Sequence, residues 1–369
     1  MMIALALAGL LFATPASPPV VFAGATLIDG TGAAPVPHAT VVVADGRIEC
    51  AGKECKAPPG APVTDVSGAW ILPGLIDAHV HFAQTGWADG RPDAADVRDR
   101  YPYEKTEGEL AANPQRFFRT QLCSGLTSVF DVGGYPWSID MARHERDDPA
   151  APRASAAGPL LSTLDFWLNL PAERQFIHLK DADAGRSGVR YLKARGADAV
   201  KVWFIVTPEL TVEASTPAVM AAGDEAKRLG IPLIVHATGL AEAKVALKAG
   251  AHMLVHSVDD LPVDDEFLAL AKANDAVYCP TLTVYGGYGR LAAAGGAAQP
   301  PAIDDPNGCV DAETRAKIAQ STTLPKLDAA RDASVEERIR KAESMMAANL
   351  KRVSDAGIRI AMGTDAAIR

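Results

Sequence analysis

The stretch ILPGLIDAHVHF, residues 71–82, marks a change in the rhythm of the chain. Before it, VVFAGATLID (20–29), ATVVVADGRIECAG (39–52) and APVTDVSGAW (61–70) are short runs of β-formers separated by Gly, Pro and Asp turn signals. They predict a small antiparallel sheet and leave no room for a helix. After it, short β-branched runs alternate with longer stretches rich in Ala, Leu and charge, which is the rhythm of a parallel α/β sheet. Candidate strands lie at 71–81, 127–132, 160–164, 199–206, 233–237, 252–257, 277–283 and 358–363. Eight βα units predict a (β/α)8 TIM-like barrel of roughly 300 residues with insertions, whose active site lies at the C-terminal ends of the strands. The insertions fall at 83–109 and 285–334, both after barrel strands and so over that face.

The chain has 369 residues, with 36 Lys and Arg against 45 Asp and Glu, a net charge of −9. No run of basic residues offsets that balance, so a polyanion-binding surface is excluded as the main activity and nucleic acid is not an expected partner. An apolar content of 48% with 6% aromatics is ordinary for a globular protein and excludes disorder, collagen and coiled coil. Five cysteines are too few for a disulfide scaffold, and none forms a Cys-x-x-Cys pair. Residues 3–13 are an apolar run followed by Thr14-Pro15-Ala16-Ser17, small residues that suit cleavage of a signal peptide spanning 1–16. The reading is export to the periplasm or beyond, with an internal first strand as the alternative, since no Lys or Arg precedes the run. The run is too short to span a bilayer. In an oxidising compartment Cys50 and Cys55 either close a small loop at a hairpin or remain two unrelated thiols.

The chemistry lies at the strand ends. His79 and His81 are an i, i+2 pair, and side chains that alternate along a strand put both imidazoles on one side. A solitary surface pair is the alternative, but two histidines closing an apolar strand favour a metal site, imidazole being a common zinc ligand. DAVKVWFIV (198–206) sets Lys201 inside an apolar run. A buried ammonium group without a partner is costly, so this lysine is paired, neutral or chemically changed. Carbamylation by carbon dioxide would make it an anion with two oxygen ligands; a plain ion pair with a carboxylate is the alternative. IPLIVHATG (231–239) ends its strand on His236 and AHMLVHS (251–257) on His256. Alternation puts His252 on the side of His256 but at the strand's start, which indicates a structural role. IRIAMGTDA (358–366) delivers Asp365 just past a buried strand, where a carboxylate has to be paired, hydrogen-bonded or metal-bound.

In this order, PGLIDAHVH, the lysine of VKVW, VHATG, VHS and MGTDA resemble the metal-ligand set of the amidohydrolase superfamily, in particular members similar to imidazolonepropionase and the metal-dependent prolidases. The resemblance spans essentially the whole mature chain: GATLIDGTGAAPV (24–36) and VVVADGRI (41–48) are similar to the small β-sandwich that precedes the family's barrel, here 17–70 before a barrel at 71–369. Carried over by position, it implies that His79, His81 and Asp365 hold the more buried of two divalent metal ions and His236 and His256 the more exposed one. Carbamylated Lys201 and a hydroxide would bridge them. Two divalent cations against carbamate, carboxylate and hydroxide leave one net positive charge, a centre that lowers the pKa of bound water to about 7 and polarises a carbonyl. Asp365 would take the hydroxide's proton and deliver it to the leaving group. Zinc is the default metal for this nitrogen and oxygen set, with manganese and cobalt as alternatives.

Two features depart from the family's pattern. The prolidase-like members usually carry a Gly-Gly-His stretch after the third strand, whereas LLSTLDFWLNL (160–170) contains no histidine, so their substrates do not carry over to this chain by the resemblance. The chain also stops four residues after Asp365, without the last helix and the returning strands, so the expectation is a C-terminally truncated barrel that is aggregation-prone or poorly active as written. Among other residues, Tyr285 either reaches a substrate carbonyl or carboxylate or is an aromatic rim residue. Arg91 and Arg100 read as solvated loop charges, with pairing to a carboxylate as the alternative. His38, His144 and His178 read as surface residues, and Cys123 and Cys279 as small buried hydrophobes. The functional reading is a secreted or periplasmic metal-dependent hydrolase of amide, peptide, cyclic amide or lactone bonds. The alternative is a non-catalytic or truncated barrel that retains its ligands. The sequence leaves the oligomeric state open, a homo-oligomer included.

Overall fold

A computed structural model describes residues 18–91, 95–165, 175–324 and 333–366. The expected signal peptide lies outside the described residues, as do the last three residues of the chain. Two units divide at Gly74 and Leu75.

The N-terminal unit is one five-stranded sheet of β1 (Val20–Leu27), β2 (Val36–Ala44), β3 (Arg47–Gly52), β4 (Val63–Asp65) and β5 (Trp70–Ile71), in the order β3-β2-β1-β4 with β5 also on β1. Asp45 and Gly46 both take positive φ, 49° and 71°, which makes the tight β2–β3 hairpin. The sheet is not wholly antiparallel as expected: β4 and β5 both run parallel to β1, because the chain returns by a long loop in place of a hairpin. Cys50 and Cys55 form a disulfide beside β3.

The second unit begins with β6 (Leu75–Val80), α1 (Tyr103–Ala112), α2 (Gln115–Cys123), β7 (Leu126–Asp131), α3 (Pro136–His144) and β8 (Arg153–Ala156). It continues through β9 (Leu160–Ser162), β10 (Phe176–His178), α4 (Ala182–Arg195), β11 (Val200–Trp203), α5 (Val212–Arg228), β12 (Leu233–His236), α6 (Leu240–Lys248) and β13 (Met253–Val255). It ends with α7 (Asp265–Ala273), β14 (Val277–Cys279), α8 (Val284–Ala294), α9 (Ala312–Ala319), α10 (Ala333–Asp355) and β15 (Arg359–Ile360). Side-chain caps set several of the helix starts: Asp181 accepts from Ala184 N before α4, Thr211 from Ala214 N before α5 and Asp264 from Phe267 N before α7. Gly196 closes α4 in the left-handed region.

Every neighbouring strand pair of this unit is parallel, in two sheets ordered β6-β7-β8 and β10-β9-β11-β12-β13-β14-β15. Backbone hydrogen bonds also cross between the sheets: Ala78 N to Met362 O and Asp365 N to His79 O join the first strand to the last, and Asp198 N to Ala156 O joins β8 to the approach of β11. Leu161, Val200, Val202, Val235 and Leu254 face α4, α5 and α6 in one large apolar core, while Ile234, Met253, Val255 and Cys279 pack on the other side. The eight candidate strands all contain a strand, but β8 and β10 were not foreseen. Arg-Ala-Ser-Ala carries no β-branched or aromatic residue, and only pairing with β7 makes it a strand. His178, expected on the surface, is the last residue of β10 and is half-buried.

The two insertions share a core of their own. Trp87, Ala88, Ala95 and Val97 pack against Leu291, Ile318 and Leu324. Trp87 Nε1 donates to Ser321 Oγ at 2.9 Å, and Lys317 Nζ donates to Asp89 Oδ2 at 2.8 Å, with both residues buried. Arg100 is tied to Thr323. Cys123 is not the buried hydrophobe expected of it: it sits exposed at the end of α2 in a disulfide with Cys309, 186 residues later, which clips the second insertion to the body. Cys279 is buried and free. No helix among the described residues is long and apolar enough to cross a membrane.

Candidate metal centre

All six predicted ligands, His79, His81, Lys201, His236, His256 and Asp365, line one cavity of about 200 Å³ in the second unit. The strands deliver them by two local devices, alternation along a strand and left-handed backbone just past a strand end. On β11 and β12, Lys201 pairs with Ile234 and Trp203 with His236, so Lys201 lies between Val200 and Val202 and faces away from the helical layer. His256 enters differently from the alternation assumed for it. Leu254, two residues earlier, packs in the helix-side core, and it is the left-handed backbone of His256, φ 70°, that turns its side chain into the cavity. Thr281 and Asp365, following β14 and β15, also have positive φ, 41° and 43°. Strained backbone of this kind persists where surrounding structure over-determines it, and it gathers at functional sites. His252 is exposed and lies outside the cavity.

The last strand end is stitched to the first. Asp77 accepts from His79 N, from Thr364 N at 3.0 Å and from Thr364 Oγ1 at 2.6 Å. Gly363 makes that approach possible, because a Cβ there would sit 2.3 Å from Cys279 Sγ and 2.7 Å from His79 Cβ.

Within the cluster, His79 Nε2 and His81 Nε2 are 3.2 Å apart, and Asp365 Oδ1 lies 3.7 Å from the first and 3.4 Å from the second. His81 Nδ1 donates to the carbonyl of Gly133 at 2.6 Å, which leaves its Nε2 lone pair for the cavity. His256 Nδ1 is 2.7 Å from Thr281 Oγ1, and its ring lies 4.4 Å from that of His236 and 4.9 Å from that of His79. One ligand atom from each of His79, His256 and Asp365 falls within 4.8 Å of the others. The fit to a cation is carried by Asp365 Oδ1: this carboxylate oxygen is buried, has no hydrogen-bond partner and faces two Nε2 atoms. His79 Nδ1 is likewise buried and unsatisfied.

Electrostatics hold the histidines ready to bind. Burial, with Lys201 and the neighbouring histidines as further causes, keeps His79 and His256 well below the usual imidazole range, and burial with Lys201 takes His236 down to about 3. Neutral imidazoles are the form that coordinates metal. Lys201 is 1% exposed and makes no hydrogen bond or ion pair among the described residues. Burial lowers its pKa to about 8 against the opposing charges of Asp365, Cys279 and Asp131.

Four residues given no role here by sequence also shape the site: Asp77, Asp131, Thr281 and Asp259. Asp131 is fully buried, 4.0 Å from His81 Nδ1, and accepts from Gly133 N. Asp77 and Asp131 were legible by the argument used for Lys201, a charge inside an apolar strand. Tyr285 lines the cavity and gives its hydroxyl to Asp259. Arg91 is no solvated loop charge; it lines the same cavity with its guanidinium 5.1 Å above the ring of Tyr288.

The chain is 28% identical over 276 residues to the imidazolonepropionase of Mesorhizobium japonicum, a match covering 68% of this chain and 65% of that protein. It is 25% identical over 232 residues to the dihydroorotase of Anaeromyxobacter dehalogenans, covering 53% and 54%. The matches thus span between half and two thirds of these relatives. Among solved structures, a Xaa-Pro dipeptidase with bound methionine superposes with a TM-score of 0.65 over 95% of this chain and 80% of its own, at 21% identity, a likeness of fold. The sequence model of the amidohydrolase family matches residues 70–369, and the chain belongs to that family.

Proposed function

We propose that this chain is a binuclear metal-dependent hydrolase of amide bonds, built on a closed (β/α)8 barrel and working in an oxidising compartment. The observation that carries the reading is the unpartnered Asp365 oxygen between two histidine Nε2 atoms. Closure of the strands into a barrel is supported by the hydrogen bonds at both gaps between the parallel sheets. Export is supported by two disulfides, a pairing uncommon in reducing compartments. Relatives named imidazolonepropionase and dihydroorotase support hydrolysis of carbon–nitrogen bonds.

His79, His81 and Asp365 would hold one ion and His236 and His256 the other, with zinc the metal suited to this donor set. When bound, the ions activate water near neutral pH and polarise the scissile carbonyl. Lys201 supplies the anion between the two groups of ligands: its amine, brought to about 8 by burial, adds to carbon dioxide, loses a proton and becomes a carbamate with two oxygen donors. Asp365 accepts the proton of the attacking water and passes it to the departing nitrogen, so the amine leaves neutral. Gly133 fixes the tautomer of His81, and Asp77 fixes the strand end that carries Asp365. The test is a library of dipeptides, cyclic amides and lactones offered to the metal-loaded and the metal-stripped chain. Hydrolysis of an amide that disappears on stripping and returns on reloading is expected; a metal-loaded chain that hydrolyses no member contradicts the proposal.

A further inference from the structure

The loop that follows β13 contributes to the cavity an acidic residue that the ligand set does not use. Asp259 and Asp260 follow β13 side by side, yet their carboxylates do different work. Asp260 accepts from Leu240 N at the start of α6 and from its neighbour Leu261 N, a backbone role. Asp259 is turned the other way: its own N–H is fixed on Thr238 O, its side chain lines the metal cavity, and among the described residues its one side-chain partner is the hydroxyl of Tyr285. No Lys or Arg of the described residues stands within ion-pair distance of it. Tyr285, in the first turn of α8, thus occupies Asp259 and orients its carboxylate.

A half-buried carboxylate held among aromatic walls loses hydration when a ligand fills the cavity, and one phenolic hydrogen bond does not replace it. The loss is best offset by a cationic donor, for which Tyr285 and Trp203 also provide aromatic lining in the same cavity. We propose that Asp259, positioned by Tyr285, is a specificity-determining residue that binds a protonated amino group on the substrate, so that the site takes amides bearing a free amine near the scissile bond. This rests on the hydrolase reading for its reaction, but the recognition itself is measurable without turnover.

The test is calorimetric titration of the metal-loaded chain with leucine and with 4-methylpentanoate, which is leucine without its amino group; neither has a bond to hydrolyse. Leucine is expected to bind at least ~10-fold more tightly, the scale of one charge-assisted contact. In Asp259→Asn, which keeps size and shape, the ratio should fall to about 1–2, and in Tyr285→Phe it should fall by a smaller factor because the carboxylate stays but is no longer oriented. Equal binding of the two ligands, no binding of either, or a preference that survives in both variants overturns the proposal, the last by assigning the amine to the metal. A preference lost in Asp259→Asn, combined with no hydrolysis in the library, would leave the recognition standing and remove the hydrolase reading.

Discussion

The strand-end cluster and the cap made by the two insertions are both built from buried polar residues, yet only one of them could be read in advance. In the cluster each strand contributes one or two polar residues to an otherwise apolar run, and parallel register brings them together whatever the intervening helices contain. In the cap, Asp89 meets Lys317 and Trp87 meets Ser321, contacts across more than 220 residues between stretches whose composition is that of ordinary loops. Regular scaffolding makes chemistry legible; contacts between two insertions distant in sequence leave no periodic trace.

This contrast predicts that changes in the cluster alter metal content and activity with little loss of fold, whereas changes in the cap lower stability and leave the metal in place. The largest effect is expected for Lys201→Ala, which removes the bridging anion: nearly all activity and most of the second metal should be lost, with partial return on adding short carboxylic acids. Elemental analysis beside turnover checks this, and two metals with full activity in the variant would refute the carbamate. Asp365→Asn should lower kcat by at least ~10²-fold through loss of the proton acceptor, while metal content falls less. Activity within a few-fold of the parent would show that another group handles the proton.

On the cap side, Cys123→Ser with Cys309→Ser opens a loop of 186 residues. A cost of about 2 kcal/mol, at the low end of the usual range, is expected as a fall in Tm with unchanged metal content. Loss of metal together with the disulfide would show that cap and cluster are one cooperative unit. The smallest change, Trp87→Phe, deletes the indole donor to Ser321 and should cost about 1–2 kcal/mol by denaturant unfolding. No change in midpoint would mean that water replaces the bond.

Which parts of the molecule were legible follows from the same physics. Lys201 and Asp365 stood out because charge is expensive inside apolar strands, and all six expected ligands line one cavity. The route taken by His256 was not legible, since alternation points it toward the helices and only a left-handed backbone brings it in. β8 escaped because its four residues have no strand preference of their own. Cys123 escaped because its partner lies in the second insertion, 186 residues later, and a disulfide's geometry cannot be read from spacing. Tyr285 stood out in the sequence and lines the cavity, but its partner Asp259 did not, because an acidic residue in a loop gives no signal until the fold shows what it faces.

The most direct test of the central claim is the metal content of the full chain after loading with zinc in the presence of bicarbonate and removal of free metal. Close to two ions per chain, falling toward one in Lys201→Ala, is the result the proposed centre predicts. A chain that retains no zinc, or whose zinc content is the same with and without the lysine, would contradict it.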